Sequence, residues 1–256
     1  MTSTALAKPA RHTLLAAIAA STIALLGNAQ AQSNTPEEPI RMEQTLSQKQ
    51  QSIAPITAAT ATGDMTKLNS AISRGLDAGL SVSDAKEILV QMYAYSGFPR
   101  SLNALGELMR VLEDRKNRGI QDAPGQNPGP IPTGKALLEA GAVNQTKLSG
   151  GPVKGALFDF APAIDEFLKT HLFGDIFARD NLDWQSRELA TVGALAALDG
   201  VESQLRSHIR ISMNVGLTAN QLRQLAELLQ QGEQPEAAAR VRAALADQAA
   251  PATGSR

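Results

Sequence analysis

The amino-acid sequence predicts an all-α protein, and three observations support this prediction. Apolar residues recur at the three- and four-residue spacing of an amphipathic helix, and no convincing run has the alternation typical of a strand. A helix-ending glycine precedes a helix-starting cap at two places, Gly79-Leu80-Ser81 and Gly216-Leu217-Thr218. Hydrophobic residues make up 43% of the chain but aromatic residues only 4%, so Leu, Ile, Val and Ala must build the core.

The first 31 residues have the pattern of a cleavable export signal. Lys8 and Arg11 precede an apolar run over residues 14–26, and small residues end at Ala31. We expect cleavage after Ala31 and a periplasmic or secreted protein. The apolar run is shorter than the roughly 20 residues of a spanning helix, so we expect no membrane contact after cleavage. The polar residues 32–46 are predicted to form a flexible leader.

Charge and cysteine content exclude several functions. The formal net charge is −1, which gives no basic surface for nucleic acid. The chain has no cysteine. Disulfides, thiolate metal sites and thiol redox chemistry are therefore excluded, although an exported protein could have used disulfides.

An internal repeat divides the chain. Residues 47–80 slide onto residues 184–217 without a gap, at an offset of 137. This offset aligns identical residues that suit turns and packing: Ala59/Ala196, Gly63/Gly200, Leu68/Leu205, Ile72/Ile209, Gly79/Gly216 and Leu80/Leu217.

Two titratable residues are present in the second copy alone. Glu188 aligns with Gln51, and His208 aligns with Ala71. If the copies share one backbone, the first keeps the packing residues and lacks the titratable pair. Any acid/base chemistry is then expected in the second copy.

Local signals place the helices in order. Ser47 begins the helical region, Ser81 and Thr218 cap helices, and Asp183 caps the helix that carries Glu188. Gly97-Phe98-Pro99 is expected to break or kink a helix. The predicted organisation is a first, degenerate repeat over 47–116, a Gly/Pro-rich linker over 117–154, a second repeat over 155–230 and an Ala-rich C-terminal tail over 231–256, disordered after Arg242.

At several of these segments the chain resembles the carboxymuconolactone decarboxylase family, which shares its helical fold with the alkylhydroperoxidase AhpD. The segments that carry the resemblance are Leu182–Ala190, Leu205–Arg210, Gly216–Thr218, Val90–Pro99 and Phe173–Arg179. The resemblance implies an AhpD-like helical fold with two tandem repeats. It also implies a homo-oligomer, because members of this fold usually assemble as trimers or hexamers.

The resemblance separates two kinds of chemistry. In the peroxidase branch a Glu, two cysteines and a His form a proton relay for thiol chemistry. Those positions fall on Glu188, Val201, Gln204 and His208, so the relay ends are kept and both thiols are missing. Without a thiolate there is no peroxidatic nucleophile. The decarboxylase branch also lacks these cysteines and keeps the Glu and His, and is therefore the closer analogy.

A decarboxylase must hold a carboxylate, release CO2 and protonate the carbon left behind. Histidine suits this proton transfer because its ordinary pKa lies near neutral pH. We therefore assign His208 to general acid/base catalysis and Glu188 to supporting it. The alternative is structural, since a histidine on an apolar helix face is often a hydrogen-bonded core residue and a glutamate in a first turn can favour the helix dipole.

Substrate-binding candidates are Arg100, Arg210 and Tyr95. A guanidinium matches a carboxylate bidentately, and Arg206 qualifies on the same ground. Solvated surface arginines and core tyrosines are the structural alternatives. His171 is expected to be structural. We identify no cofactor or metal site, because no acid cluster stands at ligand spacing.

Three functions remain open. The first is a cysteine-independent, decarboxylase-like enzyme acting on a small carboxylated or lactone substrate. The second is a non-catalytic helical binding or oligomerisation module. The third is a peroxidase-related antioxidant protein, which the missing cysteines disfavour.

Overall fold

The computed structural model describes residues 45–249. The predicted signal peptide, its cleavage point after Ala31 and almost all of the leader 32–46 lie outside the described residues. Every regular element in 45–249 is a helix, so the all-α prediction is confirmed. None of these helices is long and apolar enough to cross a bilayer.

The first repeat contains five helices. Ser47 caps the first of them through a capping box with Gln50, as the sequence signal indicated. The helices are α1 (Gln48–Gln51), α2 (Ile53–Thr62), α3 (Met65–Asp77), α4 (Val82–Gln91) and α5 (Tyr93–Asn117). Helix α5 is interrupted at Gly97, whose φ of 81° and ψ of 159° lie outside the helical region, so the expected break is confirmed.

The segment between the repeats is more ordered than the sequence indicated. Residues 117–154 were expected to be a linker, but their second half forms α6 (Lys135–Ser149), with Leu148 fully buried. The prediction of a linker relied on the glycines and prolines of residues 119–134, and it missed the helix that follows them. Two short helices follow, α7 (Ala156–Phe160) and α8 (Pro162–Phe167), and α8 runs on as a π-helix (Leu168–Ile176).

The second repeat contains α9 (Trp184–Ala196), α10 (Glu202–Asn214), α11 (Ala219–Gln231) and α12 (Pro235–Ala249). The expectation of a tail from residue 231, disordered after Arg242, is wrong as far as Ala249, because α12 is helical and packs into the core. Ala237, Ala238, Val241 and Ala244 are all buried. Alanine-rich sequence looked like low complexity, but here alanines at helical spacing allow close helix contact.

The helix boundaries repeat at the offset found in the sequence. Helix α3 covers 65–77 and α10 covers 202–214, and the starts of α4 and α11 differ by the same 137 residues. The joint before each of the latter helices uses a left-handed glycine, Gly79 at φ 97° and Gly216 at φ 102°. Both following caps form capping boxes. The two copies therefore share one local fold.

Helices α2 and α9 are the central pair. Residues Ser186–Ala196 of α9 are all buried, which requires small side chains at its closest contacts. Gly193 faces α2 so closely that an added Cβ would lie 2.8 Å from Ala54 Cα. The pair joins the two repeats in one apolar core.

A second, smaller apolar cluster covers one side of α10. It is formed by α6, the π-helix and Ile211 of α10, with Tyr93, Tyr95 and Trp184 packed against it. The inserted segment between the repeats therefore supplies a cover for α10, which carries His208.

Candidate active site

Glu188 lies in the second turn of α9. Asp183 caps this helix by accepting a hydrogen bond from the Ser186 amide at 2.7 Å, as the sequence predicted. Because α9 is buried on all sides, the Glu188 side chain has no exposed surface. A buried carboxylate is costly unless it is paired, so its partners define what it can do.

His208 is the direct partner of Glu188. Its Nδ1 lies 2.8 Å from Glu188 Oε2, and the histidine is only 8% exposed. The structure thus brings together the two residues that the first repeat lacks. The second carboxylate oxygen, Oε1, is buried without a hydrogen-bond partner among the described residues.

Tyr95 completes the cluster from the other repeat. Its ring meets the His208 ring edge to face, with centroids 5.7 Å apart and planes at 83°. Its hydroxyl is buried and has no partner at full hydrogen-bond geometry within residues 45–249, although a contact with Thr191 acts to lower its pKa. Burial raises the pKa of this hydroxyl well above its ordinary value, and the Glu188 carboxylate adds to the rise. Tyr95 therefore keeps its proton.

A buried charge network lies beside the pair, and sequence reasoning missed it. Glu87 receives two hydrogen bonds from Arg179, at 2.8 and 2.7 Å, and one from Arg187 at 3.1 Å. Arg187 is fully buried. Burial alone would raise the pKa of Glu87, but the two guanidinium groups outweigh it and the pKa lies below its ordinary value. The signal was Glu87 itself, an acid beside the apolar Ile88 and Leu89.

Neutral side chains link this network to α9. Gln91 donates to the Arg187 carbonyl at 2.9 Å and to the Thr191 hydroxyl at 2.8 Å. Thr191 donates in turn to the Arg187 carbonyl at 3.0 Å. Because Gln91 ends α4 just before Tyr95, these bonds fix the tyrosine-bearing segment to the helix that carries Glu188.

The other proposed substrate-binding residues lie apart from the pair. Arg100 lies against the turn at Gly63, with its Nη1 3.6 Å from the position of an added Cβ there. Arg210 is exposed on α10. Arg206 is exposed and 3.8 Å from Asp247. The structure joins Tyr95 to the Glu188/His208 pair and joins none of these arginines to it by a hydrogen bond.

The remaining singled-out residues have local roles. Gln204 is exposed and Val201 precedes α10, so the two thiol positions of the peroxidase pattern lie one turn apart at the start of the His208 helix. His171 is exposed and its Nδ1 is 2.9 Å from Asp175. The Ser96 hydroxyl donates to the Met92 carbonyl at 3.0 Å, which is a local helix contact.

The sequence model of the "Carboxymuconolactone decarboxylase family" matches residues 28–108 and 162–247. The chain belongs to the carboxymuconolactone decarboxylase family. The two matched regions correspond to its two repeats, and the second region extends through most of α12. In this family member, the second repeat alone holds the Glu188/His208 pair.

One curated relative gives a similarity of limited extent. The protein named 4-carboxymuconolactone decarboxylase of Acinetobacter baylyi (strain ATCC 33305 / BD413 / ADP1) is 35% identical over 69 residues. The match covers 27% of this family member and 51% of the relative. The chain therefore spans about half the length of that relative.

The geometry of the cluster suits proton transfer. Glu188 contacts Nδ1 of the imidazole, so Nε2 is the ring nitrogen that points away from the pair. The Tyr95 ring packs against the imidazole and keeps its hydroxyl proton. The three cavities that we describe on residues 45–249 are lined by neither Glu188 nor His208. Glu188 and His208 are both buried, and the apolar cluster of α6, the π-helix and Ile211 packs against Tyr95 beside them.

Proposed function

We propose that this family member is a cysteine-independent, decarboxylase-like enzyme acting on a small carboxylated or lactone substrate. The observation that carries the proposal is the buried contact of 2.8 Å between His208 Nδ1 and Glu188 Oε2. The family name and the name of the curated relative support the reaction class.

The proposed step is a proton-assisted loss of CO2. The bond between the substrate carbon and its carboxylate breaks, and its electron pair stays on that carbon as an enolate. His208 delivers the proton from Nε2 to this carbon, and solvent returns it. Glu188 keeps the ring in the orientation that presents Nε2, and the Tyr95 hydroxyl is the available donor to a substrate oxygen.

The experiment is a screen of carboxylated lactones and related acids for CO2 release. We expect turnover with the unaltered protein and its loss in His208→Ala and Glu188→Gln, with helicity retained. His171→Ala is the matched control, because this exposed histidine bonds Asp175 and packs on Phe167 of its own helical segment. Unchanged turnover in His208→Ala would refute the assignment. Consumption of hydroperoxide by the cysteine-free chain would instead favour the antioxidant alternative.

The second candidate function is a helical assembly module, and an apolar stripe on α5 favours it. Phe98 and Leu102 are each 63% exposed and Met109 is 72% exposed, all along one helix. Such a stripe is typical of a protein interaction surface. We propose that the chain forms a homo-oligomer through it, which sedimentation of Leu102→Glu against the unaltered protein would test. Loss of assembly without loss of turnover would show that both functions coexist.

We also propose that the protein is exported. The support is the basic, apolar and small-residue pattern that ends at Ala31. Intact mass of the protein from a periplasmic extract would show an N-terminus at Gln32, and an uncleaved cytoplasmic form would refute export.

A further inference from the structure

The largest cavity that we describe lies on the first repeat, away from the Glu188/His208 pair. Its volume is about 700 Å³, within the range of small-molecule sites. Its walls come from α1 and α2, from α3, and from the turn between α11 and α12. Gln51 and Ala71 are among its lining residues.

This cavity is the counterpart of the Glu188/His208 site in the other repeat. At the offset of 137, Gln51 corresponds to Glu188 and Ala71 to His208. Where His208 places an imidazole in the second repeat, Ala71 has only a methyl group, and Gln51 replaces the carboxylate of Glu188 with an amide. Both residues line the cavity.

The cover also differs between the two sites. Ile211 of α10 is buried under α6 and the π-helix, whereas its counterpart Arg74 on α3 is exposed and lines the cavity. No residue of α6 or of the π-helix lines this cavity. The first-repeat site is therefore open on the side where α6 and the π-helix cover Ile211 in the second repeat.

The polar groups around the cavity favour an anion. Arg74 has no ion-pair partner within residues 45–249. Lys67 donates to the Glu233 carbonyl at 3.1 Å and lies 3.6 Å from Asp64. Arginine presents paired N–H groups that match a carboxylate, so Arg74 is the natural anchor.

The turn that closes the cavity has two unusual features. Glu233 has a φ of 57°, the only positive φ at a non-glycine residue in 45–249. The neighbouring Gln234 has a buried Oε1 with no hydrogen-bond partner within the same residues. Backbone strain of this kind clusters at ligand clamps and other functional sites.

We propose that the first-repeat cavity binds a small organic carboxylate without transforming it. Its carboxylate pairs with Arg74, and its carbon skeleton packs on Ala71, Pro55 and Leu228. No imidazole or carboxylate stands where His208 and Glu188 stand in the second repeat, so the site holds its ligand and has no acid/base pair to act on it.

The test uses 4-hydroxybenzoate as probe, since it combines a carboxylate with a flat apolar body. Calorimetry and amide chemical-shift mapping on the full chain should show one site, with shifts at residues 66–78 and 228–234. The neutral isostere 4-hydroxybenzamide should bind at least about tenfold more weakly, because it cannot pair with Arg74.

Two variants and two controls locate the site. Arg74→Gln and Ala71→Leu should each weaken binding at least about tenfold, the first by removing the anchor and the second by filling the space. Arg118→Gln, an exposed arginine outside the cavity, should bind as the unaltered protein does. His208→Ala should also bind normally, even though we expect it to lose turnover.

Several results would overturn the proposal. These are no binding at millimolar probe, equal binding of the amide, or unchanged binding in Arg74→Gln. Binding lost in His208→Ala would place the probe in the second-repeat site. A change of oligomeric state in Ala71→Leu, seen by sedimentation, would mean that a second copy covers the cavity.

Discussion

Tyr95 of the first repeat packs edge to face against His208 of the second, with ring centroids 5.7 Å apart. The residues are 113 positions apart in the chain. Each repeat therefore contributes to one cluster: the second supplies the Glu188/His208 pair, and the first supplies the aromatic wall and a buried hydroxyl. The positions aligned with the pair hold Gln51 and Ala71, which line a cavity instead.

Removing the Tyr95 hydroxyl separates its chemical role from its packing role. Because this hydroxyl is buried without a partner, Tyr95→Phe should leave the free energy of unfolding unchanged or raise it by about 1 kcal/mol. If the hydroxyl donates to the substrate, kcat falls in the same variant. Urea denaturation and CO2 release measure the two effects. Tyr93→Phe is the control, since Tyr93 stacks on Phe98. A marked loss of stability in Tyr95→Phe would show that the hydroxyl has a structural partner.

Breaking the buried Glu87 network should destabilise the protein. Glu87→Gln leaves Arg187 buried and without its carboxylate, which costs about 3–5 kcal/mol by the usual effect of removing one partner. Thermal and urea unfolding would measure the loss. Glu236→Gln, at an exposed glutamate, should change stability by less than about 0.5 kcal/mol. Equal effects of the two variants would contradict the network's role.

The lowered pKa of Glu87 predicts that the free energy of unfolding depends on pH. Its folded-state pKa is lowered, so it contributes stability that is fully present above its ordinary pKa of 4.5. This stability is lost as the pH falls from there through the lower folded-state pKa. Melting temperatures between pH 7 and pH 3 should drop steeply in the unaltered protein and less steeply in Glu87→Gln. Parallel curves would show that other carboxylates control acid unfolding.

The close approach of α2 and α9 predicts a cost for any side chain at Gly193. Gly193→Ala places a Cβ 2.8 Å from Ala54 Cα and 2.9 Å from its carbonyl oxygen, contacts that backbone movement must relieve. We expect a loss of about 1–3 kcal/mol in unfolding free energy. Gly106→Ala is the control, because nothing lies within 4 Å of its added Cβ. In the interior of α5 this control should stabilise by about 0.5–1 kcal/mol.

Helix α12 is predicted to be part of the core. Val241→Asp buries a charge at a fully buried position and should destabilise by at least about 3 kcal/mol. Ala243→Asp, on the exposed face of the same helix, should change stability by less than about 0.5 kcal/mol. Guanidinium unfolding distinguishes the two. If α12 were a detached tail, both variants would unfold like the unaltered protein.

Local signals in the sequence predicted much of the fold. The caps at Asp183, Ser81 and Thr218 and the break at Gly97 all depend on residues a few positions apart, and each is confirmed. The predictions that relied on composition and not on local pattern were wrong. The glycines and prolines of residues 119–134 led to the prediction of a linker that contains α6, and the alanine-rich sequence after residue 231 led to the prediction of a tail that contains α12.

The sequence by itself determined the helices, the repeat at an offset of 137 and the asymmetry of the Glu188/His208 pair, because these depend on residue identity and local spacing. Only the tertiary structure decided which distant groups meet. Packing of α2 on α9 and the cover from α6 put Tyr95 on His208, pair Glu87 with Arg187, and leave Arg100 and Arg210 outside the cluster. Such contacts follow from filling one shared core, and no local pattern encodes them.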